Sequence, residues 1–564
     1  MWSGVGGSTV NWAAHFPRLH PSDFHTKSRD GVGDDWPFDY FDLEPYYDQN
    51  DDVVGVSGLA GDPAYPPKPE RPMPPLPLGR MGMAAARGFD ALGWHWWPVD
   101  AAVNSRRHDG RAGCNHCGPC LLGCPNGAKS SVDLTYWPKA LARGVGLRAH
   151  AVVQQVEIEA GRATGVRYRV GQGREIVQPA SFVVVAGNGI GTARLLLASA
   201  VSSPALGRNL MFHPAAYLRG MFHEELDGPV GCALYSHEFY ETDESRGFKR
   251  GVHLQVTREN ALLSQAMRLE PAWGAEAQRL LREEFRHSMV VLVLAEDLPE
   301  TRNRVTLTDR TEADGLPGVR LDYTLSDHSR RSLDFGIARP GIPPRRRGTS
   351  HRHRAAGAGD RLASARHGAH GQRSQDLGHR CQRPLPCGAQ PARRRRQPVP
   401  DRRRRESRRH DRRAGAEARR RSRGDNGMTA FMAAVLDTLV PGDRGVPPLP
   451  SAPAAGLDAR GYAEEHGAAF AAIAAVSGGE DAFLAAAPAA RTQVLWQVER
   501  GADAPVFKAL VAAVLQDYYE CDAVAAVLGW RPAPPQPGGH ALAPTDEATW
   551  RRLDRVKQRP PFWR

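Results

Sequence analysis

The chain has 564 residues, 41% of them hydrophobic, and a formal charge of +12. Its length suits roughly two to four domains, and no run of about eighteen apolar residues marks a membrane-spanning helix. The start Met1-Trp2-Ser3-Gly4 lacks the basic-then-apolar pattern of a leader, and eight cysteines are too few for a disulfide framework.

The opening Gly4-Val5-Gly6-Gly7-Ser8-Thr9-Val10-Asn11-Trp12 is a glycine-rich loop. Glycines let backbone N–H groups approach a phosphate closely, and Ser or Asn can bond a cofactor edge. Such a loop can equally be a plain turn. The aromatics of Trp94-His95-Trp96-Trp97-Pro98 read as core.

Next comes Cys114-Asn115-His116-Cys117-Gly118-Pro119-Cys120-Leu121-Leu122-Gly123-Cys124-Pro125. Four thiolates at this spacing, closed by proline, can wrap one iron–sulfur cluster. A structural zinc site and four unliganded thiols are the other readings; zinc sites more often pair two knuckles across a longer loop. Either three or all four of Cys114, Cys117, Cys120 and Cys124 could bind, as a 3Fe–4S or a 4Fe–4S cluster.

Ala151 to Ile158 alternates as a strand, Gly161 turns it, and Gly165 to Val170 returns. Ser181 to Gly187 reads as a buried strand, Asn188 to Thr192 as a tight turn and Ala193 to Ser199 as a helix. Strand, glycine turn and helix N-terminus together make a resting place for a dinucleotide. His213, in Leu206 to Pro214, reads as structural. Tyr235, His237, Phe239 and His253 are candidate pocket residues with no decodable spacing.

Between Arg339 and Gly427 stand 27 Arg, no Lys and 7 acids. That is +20 out of the total of +12, so the rest of the chain carries −8. The segment has no Phe, Tyr or Trp and cannot bury enough apolar surface to offset its ordering entropy, so it reads as disordered. A polyanion-binding tail would explain the charge, but interleaved aromatics are missing, which argues against nucleic acid. A third reading is translation in the wrong frame. Gly359 to Gly371 can be encoded so that a one-nucleotide shift reads T-G-W-H-L-L-G-T-A-R-M-G, and the same shift turns Ala392 to Arg413 into a second long apolar string. The shift would begin near Ala338 to Pro344. Composition returns to normal at Met428, and helical spacing follows over Thr429–Val440, Tyr462–Val476, Ala489–Val498 and Val506–Tyr519.

The two glycine loops, the strand Ala151 to Ile158 and the cysteine run resemble the glucose–methanol–choline (GMC) family of flavoprotein oxidoreductases, in particular large subunits of sugar and gluconate dehydrogenases. Asp517-Tyr518-Tyr519-Glu520 and Gly529-Trp530 resemble the small subunit that accompanies them. The resemblance implies an α/β FAD-binding fold, incomplete because the family's first βαβ unit is not seen. It implies an α+β substrate domain, followed by the disordered Arg-rich segment and an all-α C-terminal module. The expected boundaries are 1–214, 215–338, 339–427 and 428–564. It implies FAD held by Gly6, Gly7, Ser8, Asn11, Val153, Gly187, Asn188, Gly191 and Thr192, with Val152 or Val153 meeting the adenine. It implies oxidation of an alcohol group of a sugar, polyol or sugar acid, electrons leaving through the cluster to a cytochrome or quinone, and a fused small subunit as partner. By the same resemblance the location is the periplasmic face of an inner membrane, or the cytoplasm where no partner supplies an export signal. The family's catalytic His and Asn would fall, in the other frame, over Ala363–Ser364 and Glu406–Ser407. No catalytic residue is therefore expected in this chain, and turnover is expected to be negligible. The alternative function is a non-enzymatic scaffold whose Arg-rich segment binds polyanions.

Overall fold

The computed structural model describes residues 4–339, 426–528 and 542–563, less 118–119, 121–122, 172, 228–230, 258–265, 267–272 and 285–286. Most of the Arg-rich segment, and with it the frame-shift reading, lies outside the described residues. The longer helices, in chain order, are α1 (Tyr40–Val54), α2 (Gly79–Ala91), α3 (Val132–Ala142), α4 (Asn188–Ala198), α5 (Gly274–Glu284) and α6 (Asp327–Ala338). They continue as α7 (Asn426–Leu439), α8 (Ala459–Ser477), α9 (Pro488–Arg500), α10 (Ala504–Tyr519) and α11 (Glu547–Lys557). Among the described residues, no helix is long and apolar enough to cross a membrane.

The chain divides into two compact units, and neither is one continuous stretch. The first comprises residues 1–264, 283–363 and 533–564; the second comprises 265–282 and 364–532.

The first unit is built on an antiparallel five-stranded sheet. It contains β1 (Trp97–Pro98), β5 (Ala215–Met221), β6 (Cys232–Phe239), β7 (Val252–Thr257) and β8 (Ser288–Ala295), in the order β1-β6-β7-β8-β5. Residues 232–237 of β6 are buried without alternation, the mark of a strand covered on both faces. The register sets Trp97 opposite Tyr235, so the short strand β1 ties the Trp94–Pro98 aromatics into the sheet. Trp96 and Trp97 are fully buried, as their core reading requires. Helix α2 packs on β6, and α6 packs on β8, β5 and β7. Gly336 makes that last approach close: a Cβ there would lie 2.4 Å from Val293 Cγ1.

A separate three-stranded meander follows the expected hairpin: β2 (Ala151–Glu159), β3 (Arg162–Val170) and β4 (Glu175–Pro179). Helix α4 packs on β2 and on the hairpin of β9 (Arg304–Thr311) and β10 (Pro317–Asp322). The expected buried strand at Ser181 to Gly187 does not form. Phe182 is 81% and Val184 77% exposed, and the segment joins no ladder among the described residues. Its apolar run suits a central strand, but without neighbouring strands to pair with its backbone it stays extended in solvent.

In the second unit, helices α7 to α10 match the four helical stretches read from the sequence. Their shared core contains Phe431, Phe470, Phe483, Leu495, Phe507 and Leu510, all fully or nearly fully buried. Helix α5, contributed from residues 265–282, belongs to this core. Buried Trp273 meets Trp496 at 6.3 Å and Phe507 at 6.0 Å, and Gln278 donates to Tyr518 Oη at 3.0 Å.

Gly336→Ala is expected to destabilise the first unit by about 1–3 kcal/mol, because a packed sheet must move to admit the methyl group. Urea unfolding followed by tryptophan fluorescence measures it. An unchanged midpoint would show that α6 does not press on Val293.

Candidate functional site

The first glycine loop is a 3-10 turn over Gly7–Asn11, with Gly6 at φ 94° and Gly7 at φ 57°. Gly6 has to be glycine here: a Cβ would sit 2.7 Å from Asp133 Oδ1 and 2.8 Å from Val10 Cγ2. Thr9 Oγ1 donates to Gly6 O and accepts the Val132 N–H at 3.0 Å, so it closes the loop and satisfies an orphan amide at the start of α3. Asp133 Oδ1, beside Gly6, is buried with no hydrogen-bond partner. An orphaned carboxylate oxygen next to a glycine cradle suits a ligand hydroxyl or N–H that would donate to it.

Lys129 joins this loop to the cysteine run. Its side chain is nearly fully buried, and its ammonium donates to Val10 O at 2.7 Å, Trp12 O at 3.1 Å and Cys120 O. Burial lowers its pKa, and the charge is held by three carbonyl acceptors. Around it, Cys114 Sγ accepts the His116 N–H at 3.4 Å and Cys124 Sγ accepts the Lys129 N–H at 3.2 Å. Burial pushes the Cys114 thiol up to about 11 and the Cys120 thiol up to about 12, and the neighbouring cysteines push in the same direction. The donor set is chemically right for a thiophilic metal centre. Among the described residues, however, no three His, Cys, Asp or Glu side chains are gathered as a ligand group.

Asn188 stands at φ 62° at the start of α4, with Gly187 as N-cap. Its Oδ1 accepts the N–H groups of Ile190 at 3.1 Å and Gly191 at 3.0 Å. Those amides were expected to face a phosphate; an incoming anion would compete with the Asn188 side chain for them. Val153 lies on β2 opposite Tyr168, and α4 packs on the same strand, where Ser199 Oγ accepts the Val156 N–H at 2.9 Å. Val153 and the Gly187–Thr192 turn therefore belong to one layer. Gly6, Gly7, Ser8 and Asn11 belong with α3 and the cysteine run.

A buried cluster of imidazoles and phenols lies beside the five-stranded sheet. It joins three of the four undecoded pocket candidates. Tyr235 and His237 rings are 4.7 Å apart, as are His237 and His253. Phe239 is elsewhere, packed on Trp94 and Phe335. His15, His20, His95, Tyr65 and Tyr240 also belong to the group, and nothing in their spacing announces it.

The hydrogen bonds fix much of the tautomer pattern. His95 Nδ1 accepts the His237 N–H at 3.0 Å, so its Nε2–H donates to Asp62 at 2.8 Å. Burial pushes the Asp62 carboxyl up, but bonds from His95 and Tyr235 outweigh it and hold its pKa below the usual range. A second chain runs from Glu241 Oε1 to His20 Nδ1 and from His20 Nε2 to His237 Nδ1, each step 3.0 Å. His237 in turn lines a cavity of about 730 Å³, with Glu238, Glu241, Arg246, Arg559 and Phe562 among its walls. The positions overlapping the expected His and Asn, Ala363–Ser364 and Glu406–Ser407, lie outside the described residues.

Residues 3–215 match the family model described as GMC oxidoreductase. The chain is 38% identical over 363 residues to 2-methyl-1,2-propanediol dehydrogenase of Mycolicibacterium austroafricanum, covering 60% of this chain and 65% of that protein. It is 30% identical to the fructose dehydrogenase large subunit of Gluconobacter japonicus, covering 58% and 63%. It is 28% identical to the gluconate 2-dehydrogenase flavoprotein of Pantoea cypripedii, covering 60% and 64%. The chain thus spans just under two thirds of the length of these relatives.

The buried histidines give an acid-side prediction. Burial lowers His15 to about 4 and drives His237 and His253 well below their ordinary 6.5. In the unfolded chain they take protons below pH about 6.5, which the folded chain refuses. The stability they allow is therefore complete above that pH and is lost as pH falls toward about 4. The thermal midpoint should drop on going from pH about 7 to about 5, and His237→Gln with His253→Gln should flatten the drop. A midpoint flat over that range in the unsubstituted protein would refute the buried neutral cluster.

Proposed function

We propose that the chain derives from an FAD-dependent dehydrogenase that oxidises an alcohol group of a sugar, polyol or sugar acid. The match of residues 3–215 to the GMC oxidoreductases supports the cofactor and the reaction class. One structural observation carries the reading further: the Lys129 ammonium is bonded at once to the glycine loop, through Val10 and Trp12, and to the cysteine run, through Cys120. A single buried cation thereby ties the glycine-rich loop to the thiol-rich loop, which supports reading the two as parts of one site.

FAD, when bound, supplies the hydride acceptor for such an oxidation. Gly6, Gly7, Ser8 and Asn11 would line its first loop, with the free Asp133 oxygen as an acceptor. Val153, Gly187, Asn188, Gly191 and Thr192 would serve the nucleotide end. For the metal, Cys114, Cys117, Cys120 and Cys124 stand as candidate ligands on their spacing and on the N–H···S bonds to Cys114 and Cys124. Since the described sulfurs do not form a ligand group, no electron path is drawn through them. A cytochrome or quinone acceptor remains part of the proposal by resemblance.

His15, His237 and His253 are weak bases in this setting. A general base works best with a pKa near the operating pH and within hydrogen-bond reach of the hydroxyl it deprotonates. His237 reaches the cavity, but burial and the surrounding histidines depress it far below that range. Its lone pair can orient a hydroxyl and is too weakly basic to take its proton efficiently.

Purified protein should carry flavin, seen as visible absorbance and as cofactor released on denaturation, and iron by elemental analysis. It should reduce an artificial dye with a sugar or polyol negligibly. Colourless protein with stoichiometric zinc would remove the redox reading of the cysteines. Vigorous dye reduction would overturn the claim of an inactive chain.

A further inference from the structure

The two units exchange segments relative to the sequence. The first unit takes residues 542–563 into its core, and the second takes α5 into its own. Leu553 and Val556 of α11 are buried in the same hydrophobic cluster as Met83, Phe89, Trp96 and Leu234. Arg552 and Arg555 both reach Asp90, and Arg555 also donates to Trp94 O at 2.6 Å. Arg559 forks onto Glu238 at 2.5 and 3.1 Å. Thr545 Oγ1 accepts the Leu78 N–H at 2.9 Å at the start of α2, and Phe562 N donates to Pro63 O at 3.2 Å. Reciprocally, Arg282 forks onto Asp443 at 2.7 and 3.1 Å and donates to Pro447 O at 2.8 Å within the second unit.

A tail that were merely trailing chain would need no such set of contacts. Apolar anchors in a core, flanked by two Arg–carboxylate sites, are the anatomy of a subunit interface. We propose that 542–563 and α5 are exchanged docking arms, through which residues 1–338 and residues 428–564 hold together as a two-polypeptide complex would. The groove on the first unit, walled by α2, β6 and the carboxylates of Asp90 and Glu238, is thereby assigned as the binding surface for a basic amphipathic helix. The proposal rests on reading residues 428–564 as a subunit-like module; it does not require flavin or turnover.

The test places a site for a specific protease between residues 338 and 428 of the full chain and cuts it to completion, as judged on a denaturing gel. The two pieces should then elute together on native gel filtration. Arg555→Asp with Arg559→Asp should weaken their association by about thirtyfold or more, because each substitution both breaks a charge-assisted pair and sets two carboxylates against each other. Separation of the unsubstituted pieces on cutting would overturn the proposal. So would equal separation caused by Arg551→Asp, whose exposed side chain pairs along its own helix with Glu547. A second measurement needs no cut: in the intact chain, the Arg555/Arg559 variant should exchange amide hydrogens faster over residues 79–98, and unchanged exchange there would equally overturn it. Flavin content of the same samples reports on the oxidoreductase reading, so the two claims fail separately.

Discussion

Glu238 is the junction on which the first unit depends. One carboxylate, near the end of β6, accepts the His95 N–H at 2.6 Å and the Arg559 fork. Burial favours its neutral form, but the Arg559 bonds outweigh burial and keep it ionised. Through His95 it bears on the imidazole–phenol cluster, because His95 is fixed from one side by Glu238 and from the other by Asp62. Through Arg559 it anchors the C-terminal arm, whose Phe562 packs at 5.2 Å against the same His95 ring. Neutralising this one carboxylate would leave a partly exposed guanidinium unpaired and the His95 N–H with a weaker acceptor.

The sequence announces local structure well and long-range assembly poorly. The β2–β3 hairpin and helices α7 to α10 are legible because alternation, a turn glycine and helical spacing are properties of neighbouring residues. The run at Ser181 to Gly187 carries an equally clear strand pattern and forms no strand. A buried strand needs ladder partners, and the pattern states that need without supplying them. The contribution of residues 542–563 to the first unit is illegible for a related reason. Nothing in the composition of residues 542–563 says that Leu553 and Val556 join a core built by residues hundreds of positions earlier.

The site divides in the same way. Glycines and cysteines are visible because their chemistry is rare and their spacing is short. Lys129 is invisible, since its value lies in reaching Val10, 119 residues away. His20, Asp62 and Glu241 are equally silent. Each is a common residue in an unremarkable stretch, and only folding turns them into the partners of His237 and His95.

The two halves of the candidate chemistry are unequally equipped, and the physics says why that matters. On the thiol side, backbone N–H groups reach the sulfurs of Cys114 and Cys124 while the Lys129 ammonium is spent on carbonyls, and burial raises the Cys114 and Cys120 thiols, so without a metal they stay protonated. On the cavity side, imidazoles crowd together out of water, so each one raises the cost of protonating the next. Such a cluster can shape a pocket and orient hydroxyls through neutral hydrogen bonds. It cannot store the proton that oxidation of an alcohol releases, unless a carboxylate shares it. Glu241 is placed to do so through His20, but the bonds from His20 and Ser22 outweigh its burial and hold its pKa below the ordinary range. The cavity wall at His237 is thus suited to accepting a hydrogen bond rather than to holding a proton.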